Sequence, residues 1–187
     1  YIVLLFLIIS CSNTNQYNST VQKDQKIFYF TDIEGNEIII NNNKKAKVFF
    51  MLDPECPLCK SYSKTINEIQ KNYKTDFDFY IFFPSKVFSQ KKTDYFIEKN
   101  NYTSPLIIDT NQVLTYFLNA EITPECFVLD NKLNIIYKGL IDDWVKEIGR
   151  KSQYIKNHYL KNTLDLYLKK KPIKIQETKA IGCIIQK

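Results

Sequence analysis

"KVFFMLDPECPLCKSYSKTINEIQKNY", residues 47–73, decides how this chain is read. It opens with a continuous apolar run, "KVFFML", of the kind shown by a strand buried on both faces. It closes with a helical stripe, in which Tyr62, Ile66, Ile69 and Tyr73 recur at spacings of four, three and four, with lysines and Glu68 opposite. Between strand and helix stand two cysteines, Cys56 and Cys59, with Pro57 after the first. Pro fits the first helical turn, where no N–H is missed. A pair so placed is a redox couple, half of a metal site, or two buried thiols.

Helix geometry favours the redox reading. A thiol at a first helical turn faces unpaired backbone N–H groups and the positive end of the helix dipole, and both favour the thiolate. An ordinary thiol, with pKa of about 8.5, is only a few per cent ionised at neutral pH, and lowering it to about 7 makes it half ionised. The second thiol lies one turn on and can displace a mixed disulfide. Asp53, Glu55 and Glu125 are carboxylates that would raise the thiol pKa, and they predict a reducing rather than strongly oxidising couple. Zinc needs four ligands, commonly a second close Cys or His pair. His158 is the only histidine, and Cys126 and Cys183 have no paired spacing, so no metal site is assigned. Two thiolates suit Cu(I), which keeps a copper-binding role as an alternative.

Outward from this stretch, the elements alternate. "KIFYFTDIEGNEIII" (26–40) reads as two short strands about Glu34-Gly35-Asn36. "FDFYIFF" (77–83) is a buried strand, "SQKKTDYFIEKNNY" (89–102) a helix, "PLIID" (105–109) a strand and "NQVLTYFLNA" (111–120) a helix. "CFVLD" and "NIIYKG" flank the turn Asn131-Lys132 as an antiparallel hairpin, and "YLKNTLDLYLKK" (159–170) is helical. Such an order predicts an α/β domain with a mixed central sheet flanked by helices, an N-terminal β-hairpin, and a C-terminal helix followed by a tail.

The buried strand running into Cys56-Pro57-Leu58-Cys59, and a Pro directly before a later strand in "ITPECFVLD" (122–130), resemble the thioredoxin fold. Residues 26–187 as a whole look like its redoxin, peroxiredoxin-like branch. "TPECFVLDNKLNIIYKGLIDD" (123–143) is similar to a segment of that branch, and "ETKAIGCII" (177–185) to the ending of a subset of it. The resemblance implies an oxidoreductase that exchanges disulfides. Cys56 would be the exposed attacking thiol, Cys59 its resolving partner, and Thr123-Pro124 a cis bond beside them. Pro57, Thr123, Pro124, Glu55 and Asp53 are the supporting residues. Peroxide-reducing relatives carry Thr three positions before the reactive Cys, where this chain has Asp53, so thiol peroxidase is an alternative to disulfide exchange. No organic cofactor is implied. Cys126 and Cys183 form a candidate second thiol pair; a third redox role for Cys183, or an inert buried Cys126, stays open.

Composition bounds the remainder. The 187 residues are 44% hydrophobic and 25% charged, as an ordinary globular protein is. The net charge of +6 is spread among interleaved acids, and "YLKKKPIK" (167–174) reads as a solvated helix end, so no nucleic-acid partner is expected. "YIVLLFLIISC" opens the chain: residues 1–10 are about half a bilayer span and fit the apolar core of a signal peptide. Its ending resembles a bacterial lipoprotein signal, with Cys11 as the lipidated residue. Residues 11–25, "CSNTNQYNSTVQKDQ", are polar, as a flexible tether should be. These features predict a lipid-anchored protein of the bacterial cell envelope, on the periplasmic side, acting on thiols or disulfides of exported proteins; the non-enzymatic alternative is a copper-binding or redox-sensing lipoprotein.

Overall fold

Strand β3 (Ala46–Met51) is buried along its whole length, and the rest of the molecule is arranged around it. The computed structural model describes residues 26–84 and 89–187. The expected signal remnant, Cys11 and the tether therefore lie outside the described residues. Strands β1 (Ile27–Thr31) and β2 (Glu37–Asn41) form the expected antiparallel N-terminal hairpin.

After β3 come two short helical pieces, α1 (Pro57–Ser61) and α2 (Ser63–Tyr73), and then β4 (Phe77–Phe83), which pairs parallel to β3. Helix α3 (Gln90–Asn100) leads to β5 (Leu106–Ile108), parallel to β4. Helix α4 (Val113–Phe117) and the short strand β6 (Ile122–Thr123) precede β7 (Glu125–Leu129), which lies antiparallel to β3. Strand β8 (Ile135–Gly139) completes the hairpin with β7. The central sheet thus has five strands in the order β5-β4-β3-β7-β8, mixed as the alternation of elements predicts. A small ribbon, β9 (Val145–Glu147) and β10 (Arg150–Lys151), is followed by helix α5 (Tyr159–Leu168) and a tail ending in β11 (Cys183–Ile184).

The period of two along β3 divides the core. Val48, Phe50 and Leu52 face one layer with Ile66 and Ile69 of α2, Phe96 of α3, and Leu160 and Leu164 of α5. Phe49 and Met51 face the other layer with Ile40, Leu114, Leu118 and Phe127. The hairpin closes that second face, where the rings of Phe28 and Phe117 meet at 4.7 Å. Each such buried side chain contributes about 1.5–3 kcal/mol. Lys47 is also buried on β3; its amine donates to Asn43 Oδ1 at 2.8 Å and to the Lys45 carbonyl.

One expected helix keeps its length and another is shorter than its pattern. The stripe from Tyr62 to Tyr73 forms α2 as expected, with Tyr62 (φ −87°, ψ −3°) as its N-cap and as the pause that separates it from α1. The hydroxyls of Ser61 and Ser63 bond back to the carbonyls of Pro57 and Lys60, a competition that bends helices. Residues 111–120 yield only Val113–Phe117: the Asp109 carboxylate accepts from the N–H groups of Leu114 and Thr115 at its start, and Asn119 turns left-handed (φ 48°) just past its end. Trp144 is half-buried: its ring meets Tyr62 edge-on at 5.4 Å, and Lys151 Nζ lies 4.3 Å from its centroid.

Candidate active site: a three-thiol cluster

The turn between β3 and α1 presents the first cysteine. Cys56 N–H donates to the Asp53 carbonyl at 3.1 Å, closing a tight turn, and Cys56 then occupies the N-cap of α1 with Pro57 as the first helical residue. Cys59 follows one turn on, fully buried, its sulfur accepting from Asp53 N–H at 3.3 Å. Cys59 lies close to Cys56, and its thiol favours the Cys56 anion.

β6 brings the second half of the site. The Thr123-Pro124 bond is cis, and the Thr123 carbonyl oxygen lies 3.3 Å from Cys56 Sγ. Protonated, Cys56 donates to that carbonyl. Ionised, it accepts from Cys59, from Cys183, and from the backbone N–H groups of Leu58 and Cys59. Hydrogen bonding from the Cys59 thiol is the foremost influence and holds the Cys56 thiol well below its ordinary value; burial opposes it, and Cys183 and the helix N–H groups add to it. Burial pushes Cys59 up, and its bond to Cys56 adds to that rise. Charge therefore resides on Cys56 and the protons on its neighbours.

Cys183 is the residue whose place the sequence left open. Its thiol donates to Cys56 Sγ across 2.8 Å. Burial, then the bond to Cys56, raises its pKa to about 12. The candidate pair Cys126–Cys183 is not what the fold assembles. Cys126 lies in β7, fully buried, with its thiol directed at the carbonyls of Gly139 and Leu140. Burial raises its pKa well above the ordinary value. A second expectation changes with this: Cys56 is not exposed but only 2% accessible, because the C-terminal tail lies over it.

Backbone pairing places that tail. β11 runs antiparallel to β6, with Cys183 opposite Thr123 and Ile184 opposite Ile122. Gly182 permits the approach, since a Cβ there would collide with the Thr123 carbonyl. Further back, the Thr178 hydroxyl accepts from Leu140 N–H and bonds Tyr137 at 2.8 Å, and past β11 the Ile185 N–H reaches the Glu121 carbonyl. In sequence, the hint was a glycine directly before a cysteine in a tail with strand-like apolar residues.

The carboxylates do not act on Cys56 as expected. Glu55 turns outward to Lys92 Nζ at 2.6 Å. Asp53 accepts from Glu55 N–H, and its charge bears on Cys183. Glu125 is buried in β7 and bears on Cys126; its own pKa is raised by burial. The expectation of a reducing couple thus loses its basis in acids around Cys56. His158, at the N-cap of α5, is exposed and outside the site.

No protein-family model matches the sequence, and no curated protein does. Solved structures do resemble it. A hypothetical protein from Sinorhizobium meliloti superposes with a TM-score of 0.72 at 19% identity, over 86% of this chain and 90% of that one. An uncharacterized conserved protein from Geobacillus kaustophilus gives 0.74 at 21% identity, over 87% and 89%. The thioredoxin domain of a thiol-disulfide oxidoreductase from Bacteroides vulgatus gives 0.54 at 15% identity, over 62% and 84%.

The chain has a thioredoxin-like fold.

Within that thioredoxin-like frame, the cysteine pair sits at the end of the central strand, and the cis proline loop faces it from β6 and β7. The frame extends past α5 into the tail that carries Cys183. No helix among the described residues is long and apolar enough to cross a membrane.

Proposed function

We propose that the protein is a thiol–disulfide oxidoreductase of the bacterial envelope, tethered through a lipid on Cys11 and acting on thiols or disulfides of exported proteins. The observation that carries this reading is the hydrogen-bonding of Cys56 Sγ at a helix N-terminus, with Cys59 beside it and the Thr123 carbonyl 3.3 Å away. It is further supported by the fold, shared with the thioredoxin domain of a thiol-disulfide oxidoreductase. The envelope placement rests on the first eleven residues of the sequence, "YIVLLFLIISC".

In this mechanism the Cys56 thiolate attacks one sulfur of a partner disulfide. A Cys56–partner bond forms, the partner's S–S bond breaks, and the departing sulfur leaves as a thiolate that takes up a proton. Cys59 then gives up its proton and attacks Cys56 Sγ, forming Cys56–Cys59 and releasing the second partner sulfur as a thiol. Two electrons pass from the protein dithiol to the partner, and a reducing dithiol protein restores the starting state. Burial of Cys59 keeps it protonated until the mixed disulfide forms, which separates attack from resolution.

Dithiothreitol-driven reduction of insulin tests the reading. Wild type should accelerate precipitation of the insulin B chain, and Cys56→Ser should fall to background. Peroxide consumption measured beside it distinguishes the peroxidase alternative. Background insulin reduction by the wild-type protein would refute the proposal.

A further inference from the structure

We propose that Cys183 is a third redox thiol: Cys56 stands between two resolving sulfurs, and the protein forms a Cys56–Cys183 disulfide that fastens the C-terminal tail over the site. This rests on the disulfide-exchange reading and deepens it.

Geometry carries the inference. The sulfurs of Cys56 and Cys183 are 2.8 Å apart, a short side-chain adjustment from the roughly 2.05 Å of a disulfide. One residue locates both. The Thr123 carbonyl takes the Cys56 thiol hydrogen, and Thr123 is the register partner of Cys183, its hydroxyl also donating to the Cys183 carbonyl at 3.4 Å. Gly182, the β11–β6 ladder and the Thr178 anchor hold the tail in this register. Structural packing alone has no use for a thiol against an activated one, since a small apolar residue would cover it equally well.

Chemistry distinguishes the two resolving sulfurs. Cys59 is sealed in the core, whereas Cys183 is only partly buried, so its proton can pass to water. From a mixed disulfide between Cys56 and a partner thiol, the Cys183 thiolate attacks Cys56 Sγ. The Cys56–Cys183 bond forms, the Cys56–partner bond breaks, and the partner leaves as a thiol carrying the proton Cys183 released. The partner disulfide is the oxidant throughout. The same attack on a Cys56–Cys59 disulfide yields Cys56–Cys183 and a Cys59 thiol with no external reagent, so the inner and outer disulfides interconvert. The inner form leaves the tail free to move aside. The outer form locks the site shut until a reducing dithiol attacks at Cys183, the accessible sulfur.

Glutathione disulfide is the probe. Reduced wild type, Cys59→Ser, Cys59→Ala and both of those variants combined with Cys183→Ser are treated with it and digested with trypsin. Cleavage at lysine places Cys56 and residue 59 on Val48–Lys60, and Cys183 on Ala180–Lys187. The expected result is a disulfide-linked pair of these peptides in wild type and in both single variants. Glutathione retained on Cys56 should be about tenfold lower in the single variants than in the double variants. Equal retention in single and double variants, without the linked pair, would overturn the role of Cys183 and leave the disulfide-exchange reading standing. Absence of any adduct on Cys56 in the double variants would overturn that reading and this inference with it. Using both Ser and Ala at the buried Cys59 guards against one replacement failing to fold.

Discussion

The hydroxyl of Tyr62 donates to Asp142 Oδ1 at 2.9 Å, joining residues 80 positions apart. Tyr62 is the joint between α1 and α2, and Asp142 lies just beyond the β7–β8 hairpin. The bond therefore ties the helix that presents Cys56 to the strands beside it. Burial raises the pKa of both groups, so the phenol remains a donor at neutral pH. Asp142 Oδ1 also accepts from Trp144 N–H at 2.9 Å.

Tyr62→Phe should accordingly destabilise the protein by about 1–3 kcal/mol, because it leaves a buried carboxylate short of a donor. Chemical denaturation at neutral pH measures this. A midpoint unchanged from wild type would refute the bracing role.

Gly182→Ala should loosen the tail. A methyl group there collides with the Thr123 carbonyl, and backbone shifts forced by overpacking cost about 1–3 kcal/mol. Hydrogen exchange should show loss of protection at Ile185, whose N–H bonds the Glu121 carbonyl. Alkylation of Cys56 should become faster as its cover lifts. Unchanged rates for both would mean that the tail accommodates the methyl group.

Ultraviolet thiolate absorbance, followed against pH in the reduced protein, should reveal one thiolate persisting far below the ordinary thiol range. An unperturbed cysteine is about 0.3% ionised at pH 6. Cys56 should remain largely ionised there, since hydrogen bonds from Cys59, Cys183 and the helix favour its anion. The difference spectrum against Cys56→Ser isolates it. A single transition near the ordinary value would contradict the site's electrostatics.

Glu125→Gln should change stability in a pH-dependent way. Burial raises the folded-state pKa of Glu125, so the stabilisation of its protonated form is complete below the unfolded value and disappears as pH rises through the folded one. Gln should match wild type near about pH 4 and be more stable than it near about pH 8. The amide oxygen can still accept the Glu121 N–H that Glu125 Oε2 accepts now. Denaturation at the two pH values checks this, and a constant difference would refute it.

Much of the molecule is legible in the residue order because its causes are local. The buried run at β3, the alternation of strands and helices, the hairpin about Asn131-Lys132, and Pro57 at a helix start all follow from spacing and backbone preference. What the pattern does not show depends on side-chain bonding, some of it local and some from distant groups. The stripe through Tyr62 has helical period, but the period does not register the two serine hydroxyls or the reach to Asp142 that accompany the pause there. Glu55 and Asp53 stand next to Cys56 in sequence, yet Glu55 is turned outward by Lys92, which α3 supplies.

By itself the sequence determined a mixed α/β fold and a cysteine pair where a buried strand meets a helix, since apolar periodicity and helix-start chemistry operate over a few residues. Only the tertiary structure decided that Cys183, rather than standing with Cys126, covers Cys56. That contact spans 127 positions and is set by the pairing of β11 with β6, which no local pattern encodes, although the sequence does carry the Gly182 that leaves room for it.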